Sequence, residues 1–163
     1  MTLKGLKYAD ETFTLLYLNS NLDKKASWNR IFLSDEAWGI TTWAMSAGKM
    51  EEYIRSGIWD SCTVGSGSDN FGKVGDLRGD GSYPTIEKAA YSVSQYFKMG
   101  KTDVQVRTSG YARFADTEIP QDVLDGKAAV SFTGILTEYK GAAQFTLIDL
   151  DGVRKADGTP WYE

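Results

Sequence analysis

The chain has 163 residues, 42% of them hydrophobic and 25% charged, which is enough to bury a core without disulfides or metal. Its formal net charge is −4, which argues against duplex nucleic acid, polyanions and anionic membranes as partners, since those surfaces attract a positive face. It contains no histidine and one cysteine, Cys62. Ser-His-Asp and Cys-His catalysis, histidine metal sites, Cys-rich zinc sites and an internal disulfide are therefore excluded.

In chain order, residues 1–8 hold no apolar leader core, and no later stretch reaches the length of a membrane-spanning helix. No membrane insertion is expected. Thr12 to Leu18 reads as a strand, Trp28 to Leu33 as a second and Trp38 to Met45 as a third. Met50, Tyr53 and Ile54 predict a short helix over residues 49–55, ended by Gly57, and Ile58 to Val64 resumes extended structure. Residues 65–81, rich in Gly and Asp, give the longest loop signal within an expected single domain over residues 1–163.

Ile86, Ala89, Ala90, Val93, Tyr96 and Phe97 form one apolar stripe at helical spacing. With Pro84-Thr85 before it and Gly100 after it, the stripe predicts a packed amphipathic helix near residues 86–98. The rest reads as β: Asp103 to Thr108, Gly110 to Ala115, then Ala128 to Tyr139 and Ala142 to Leu150, with a turn at residues 119–126 and a tight Lys140-Gly141 hairpin turn. The fold class expected is mainly β, an OB-like barrel of antiparallel strands with one packed helix.

The segment from Phe132 to Val153 carries Gly134, Tyr139, Gly141, Gln144 and Asp149 at spacings that resemble the hairpin of OB-fold domains in exported and surface proteins of Bacteroides-type bacteria. Residues 106–116 and Ile119-Pro120 look like the lead-in strand of such domains. The resemblance covers the last third of the chain. It implies a barrel whose face binds oligosaccharide, oligonucleotide or a protein partner, and a secreted or cell-surface address, with cytoplasm and virion as alternatives. On the residues themselves, Gly134 permits sharp coiling of a barrel strand, and Tyr139 and Phe145 are expected to pack across the hairpin.

Several constellations compete with plainer readings. Residues 67–74 nearly spell a phosphate-binding loop, but Val74 stands where a hydroxyl is needed. Asp69, Asp76 and Asp80, or Asp149 and Asp151, offer oxygens to calcium at spacings that fit no EF-hand, so turn solvation is the plainer account. Arg78-Gly79-Asp80 is an adhesion tripeptide that also arises by chance. Trp28, Trp38, Trp43 and Trp59 offer a stacking platform for sugar rings, against core burial. Arg107, Tyr111, Arg113 and Phe114 interleave cations with aromatics as single-strand binders do, against six nearby acids and a mixed solvated surface. Trp161 and Tyr162 suggest docking on a neighbouring domain or subunit.

The reading that follows is a non-catalytic binding or interaction module with no cofactor and no metal. Its ligand is a glycan or protein partner, with Trp28, Trp38, Trp43 and Trp59 as ligand-binding residues. The alternatives are a single-stranded nucleic-acid binder using Arg107, Tyr111, Arg113 and Phe114, and a structural subunit of a larger assembly such as a phage particle.

Overall fold

The computed structural model describes residues 1–13, 16–17, 30–33, 39–61, 63–66, 69–73, 75–76 and 90–163. The protein is mainly β. Its contacts divide the chain into two compact units, one of Met1–Phe13, Thr41–Ser46 and Ser92–Glu163, the other of Thr14–Ile40 and Ala47–Tyr91. In sequence, the second unit is spliced into the connection between the first two strands of the first. Among the described residues no helix is long and apolar enough to cross a membrane.

The first unit is a closed, barrel-like sheet. Strand β1 (Thr2–Phe13) is long enough to serve both ends of the ring. Its first half pairs antiparallel with β8 (Val130–Tyr139) through Leu3↔Phe132 and Leu6↔Val130; its second half pairs with β6 (Val93–Met99) through Tyr8↔Phe97 and Thr12↔Gln95. The register shifts between Tyr8 and Thr12, where Asp10 takes a positive φ of 54°. The change of partner itself falls between Leu6, opposite Val130, and Lys7, opposite Lys98, so the bulge kinks the strand within its β6-paired half. From β6 the ring continues antiparallel to β7 (Thr102–Thr108), parallel to β9 (Ala142–Leu147), and antiparallel back to β8. Strand β10 (Val153–Arg154) pairs with β8, with Val153 opposite Phe132. The parallel β7–β9 pair, Gln105↔Gln144 and Val106↔Phe145, makes the sheet mixed, where an antiparallel one was expected.

Two short segments plug the ring. Helical turn α2 (Gln121–Leu124) lies between β7 and β8 and buries Val123. Residues 41–46 run beside residues 115–119, with the Trp43 and Ala44 amides donating to the Thr117 and Ala115 carbonyls at 3.2 and 2.7 Å, and Ile119 N–H donating to Thr41 O at 2.8 Å. This places Trp43 at the centre of the core. Its ring lies 6.3 Å from Phe97 in a stacked pair and 5.8 Å from Phe132 edge-on, while Phe97 and Phe132 meet at 4.8 Å. Edge-to-face aromatic pairs each add about 0.5–1.5 kcal/mol beyond the area they bury. Leu3, Leu6, Val106, Ile119, Val130, Phe145, Leu147 and Val153 complete the cluster.

In the second unit, helix α1 (Ala47–Ser56) covers the predicted 49–55 helix and buries Met50 and Tyr53, with Gly57 following it. Trp59 stacks on Tyr53 at 5.4 Å and is fully buried. Strands β2 (Leu16–Tyr17), β3 (Arg30–Leu33), β4 (Thr63–Ser66) and β5 (Asp69–Lys73) pair in that order, all antiparallel. The span read as a loop at 65–81 thus includes most of the β4–β5 hairpin, while residues 67–68, 74 and 77–81 lie outside the described ones.

Four elements depart from the sequence expectation. The first is the extended run expected from Ile58 to Val64: residues 57–61 form turns, with Asp60 N–H bonded to Gly57 O at 3.0 Å, and strand begins at Thr63. Residues 86–89 and Pro84-Thr85 lie outside the described residues, but residues 93–98 of the expected helix belong to strand β6. Val93 and Phe97, four apart, share a face at either period, so they do not discriminate helix from strand. Hydrogen bonding to β1 on one edge and β7 on the other decides for the strand. Gly100, at φ 63°, then turns a hairpin between Met99 and Thr102, where it was expected to stop a helix. Trp38 lies outside the described residues, and the remainder of the expected 38–45 strand forms no strand, with isolated bridges at Thr42, opposite Glu118, and at Met45. Residues 110–115 form turns, with the Ala112 and Ala115 amides bonded three residues back, where a strand was expected.

Candidate functional site

Side chains alternate across β6, β7 and β9. Val93, Gln95 and Phe97, Val106 and Thr108, and Phe145 and Leu147 are buried. Gln95, fully buried like Thr108, carries the largest polar side chain among them. Its Oε1 accepts from the Thr12 hydroxyl at 2.7 Å and the Tyr8 hydroxyl at 3.1 Å, and its Nε2 donates to Thr42 O at 3.0 Å. With those bonds made, the amide is a structural tie.

The opposite parity presents a polar face, except that Ser94 at its β6 end is itself fully buried. Register aligns Tyr96 with Gln105, Gln105 with Gln144, and Gln144 with Thr137; one step along, Ser94 aligns with Arg107, and Arg107 with Thr146. Tyr96, Gln105, Arg107, Gln144 and Thr146 are all half-buried, so each is held by its neighbours while keeping an accessible edge. Gln105 Nε2 and Arg107 Nη1 both donate to the Ser94 hydroxyl, at 2.8 and 3.2 Å, which fixes the amide and the guanidinium side by side. Burial and the Glu11 carboxylate raise the Tyr96 hydroxyl above its ordinary value, and Arg107 opposes them. The phenol is therefore neutral at physiological pH, a donor and acceptor attached to an apolar ring.

The sequence candidates fare unequally. Trp28 and Trp38 lie outside the described residues. Trp43 and Trp59 are fully buried, each stacked on its own neighbours, and neither ring offers a face to a ligand. Arg107 belongs to the polar face just described. Tyr111 is 85% exposed and Arg113 is exposed, in the turns that follow β7, whereas Phe114 packs against the barrel core. Phe114 is thus separated from the other three by its orientation. Cys62 and the 78–80 tripeptide lie outside the described residues. No group of three metal-ligating side chains occurs among those described. The Asp149 carboxylate caps the 3-10 turn Leu150–Gly152 by accepting from Gly152 N–H at 3.0 Å.

The C-terminal aromatics are partly buried against the core of their own unit, where docking on a neighbour was expected. Trp161 and Tyr162 pack against the core cluster, and the Lys155 ammonium lies 5.3 Å from the Trp161 ring centre. Tyr139 is exposed and pairs with Ala142, so the hairpin packing expected between Tyr139 and Phe145 is replaced by Phe145 opposite Leu136. Tyr96, Gln105 and Gln144 were missed as site residues. Tyr96 counted as part of a helical stripe, and two glutamines 39 positions apart carry no sequence signal until a parallel pairing aligns them. Comparison with known proteins finds no matching family model, curated protein or solved structure.

Proposed function

We propose that this chain is a non-catalytic binding module built on an OB-like barrel, of the kind carried by exported and surface proteins of Bacteroides-type bacteria, and that its ligand is a glycan. The strand ring β1-β6-β7-β9-β8, with β1 shared between the two ends and a helical turn between β7 and β8, supports the OB-like reading and extends it beyond the 132–153 segment. The observation that carries the ligand assignment is the row Tyr96–Gln105–Gln144 beside Arg107 and Ser94. A neutral ring flanked by planar amides and a guanidinium suits a sugar, which offers C–H faces for stacking and hydroxyls that both donate and accept. Phosphate recognition needs a field of cations, and here the Arg107 guanidinium and the Glu11 carboxylate act on the Tyr96 phenol in opposite directions.

Isothermal titration against a panel of oligosaccharides and single-stranded oligonucleotides, at low and high salt, tests this. The expected result is saturable, salt-insensitive binding to one oligosaccharide, weakened at least about tenfold by Tyr96→Ala, equivalent to about 1.4 kcal/mol. Silence across the sugars, or binding to oligonucleotides that collapses with salt, overturns the glycan assignment. The latter outcome directs attention to Arg107, Tyr111 and Arg113.

A further inference from the structure

The polar face carries a charge that its own side chains do not balance. Arg107 is half-buried, and its Nη1 is anchored at 3.2 Å on the hydroxyl of fully buried Ser94. Among the described residues its remaining N–H groups have no hydrogen-bond partner, and no carboxylate forms an ion pair with it. Asp103, on the same face of β7, is taken by Lys98 at 3.2 Å. Glu11 acts on the Tyr96 phenol but makes no ion pair with Arg107. A guanidinium held half out of water with its fork unfilled is a costly arrangement that a planar anionic acceptor relieves.

The surroundings of Arg107 are uncharged and equally unfilled. Among the described residues the Tyr96 hydroxyl, the Gln144 amide and the Thr146 hydroxyl make no side-chain hydrogen bond. The row Ser94–Arg107–Thr146 runs on to Ile135, which is 52% exposed. Strand spacing puts about 10 Å between the Arg107 and Ile135 positions. The cation therefore stands between a phenol ring on one side and an aliphatic side chain on the other, with hydroxyl and amide groups between them.

We infer that the glycan carries a carboxylate on one of its sugars, as a uronic or sialic acid does, and that Arg107 receives it while adjoining rings lie over Tyr96 and Ile135. This rests on the glycan reading above and names the class of sugar. The two oxygens of a carboxylate match parallel N–H groups of a guanidinium. One cation balances one negative charge, so the fit is to a single acidic sugar among neutral ones. A polyanion would bring its further charges against a chain of net charge −4. Half-buried charges are screened less than exposed ones, so the pair withstands added salt.

Isothermal titration of the wild-type chain reads the carboxylate directly. The probes are sialyllactose and xylotriose bearing one glucuronic acid, each beside its methyl ester and its neutral parent, lactose or xylotriose. One of the two acids is expected to bind at least about tenfold tighter than its ester and parent, the strength of a hydrogen bond to a charged group. Which acid does so distinguishes a sialic from a uronic ligand. Arg107→Gln makes acid and ester equal, and Arg107→Lys restores only part of the difference, because an ammonium lacks the fork. The ester comparison is made on the wild type, so it stands whether or not a variant folds. Acid and ester binding alike, a preference that survives Arg107→Gln, or a preference for sulfated lactose over both acids overturns this inference and leaves the glycan module standing. Silence towards every sugar, or binding of a glutamate-rich peptide in their place, overturns both.

Discussion

The Trp43 indole donates its N–H to the Tyr162 hydroxyl at 2.7 Å, and that hydroxyl donates onward to the Glu118 carbonyl at 2.9 Å. The two side chains are 119 positions apart, and the bond ties the end of the described chain to the aromatic centre of the barrel. Replacing Tyr162 with Phe keeps the ring and removes the acceptor of a fully buried indole. The expected cost is about 1–3 kcal/mol, the penalty of an orphaned buried donor. Calorimetry should show it as a Tm lowered by about 2–4 °C per kcal/mol at this chain length.

The same hydroxyl makes the barrel sensitive to alkali. Burial pushes the Tyr162 phenol from 10.0 up to about 12; the bond from Trp43 opposes the rise and Glu118 adds to it. In the folded state the proton is held more tightly than in the unfolded chain. Its contribution to stability is therefore complete below pH 10 and is lost as pH climbs from 10 to 12. Urea midpoints measured between pH 9 and pH 12 should fall for the wild type, and fall less for Tyr162→Phe. Equal slopes for the two proteins would remove Tyr162 as the cause.

At Gly134 the barrel wall leaves no room for a side chain. A Cβ there would stand 2.3 Å from Thr146 O and 2.9 Å from the Phe145 ring. Backbone and a buried ring are both poor at yielding, so Gly134→Ala should cost about 3 kcal/mol by overpacking. Chemical denaturation with near-ultraviolet circular dichroism as the second probe would show whether Phe145 shifts as well.

Gln95 offers a test of the polar tie in the core. Gln95→Leu fills nearly the same space but leaves Tyr8, Thr12 and Thr42 without their partner. A loss of about 1–3 kcal/mol is expected. The Tyr8→Phe, Gln95→Leu double mutant should lose less than the sum of the two single changes, because both remove one shared interaction.

Local chemistry made parts of this fold readable in advance. Lys140 and Gly141, at φ 52° and 81°, adopt the two-residue turn whose twist suits a hairpin, and Lys-Gly between two apolar runs signals it. Helix α1 shows its stripe through Met50 and Tyr53. What was illegible depended on distant partners. The first residues of β1 are broken by Gly5 and Asp10, and acquire their strand character from β6 and β8. Nothing in the composition around residues 13, 41, 46 and 92 marks passage between units. The polar face was hidden for a related reason: Gln144 joins Tyr96 and Gln105, already paired across the β6–β7 hairpin, only when β7 and β9 run parallel.

The splice of the second unit between β1 and β6 also governs the order in which the barrel is made. Met1 bonds to Gly134 across 133 positions. At synthesis rates of about 5–20 residues per second, β1 leaves the ribosome roughly 7–27 s before the strand that closes the ring upon it exists. Until then Leu3 and Leu6 lack Phe132 and Val130, the β8 residues they stand opposite. Closure is thus among the last events of folding, and the nascent N-terminal strand is the part of this chain most dependent on protection while it waits.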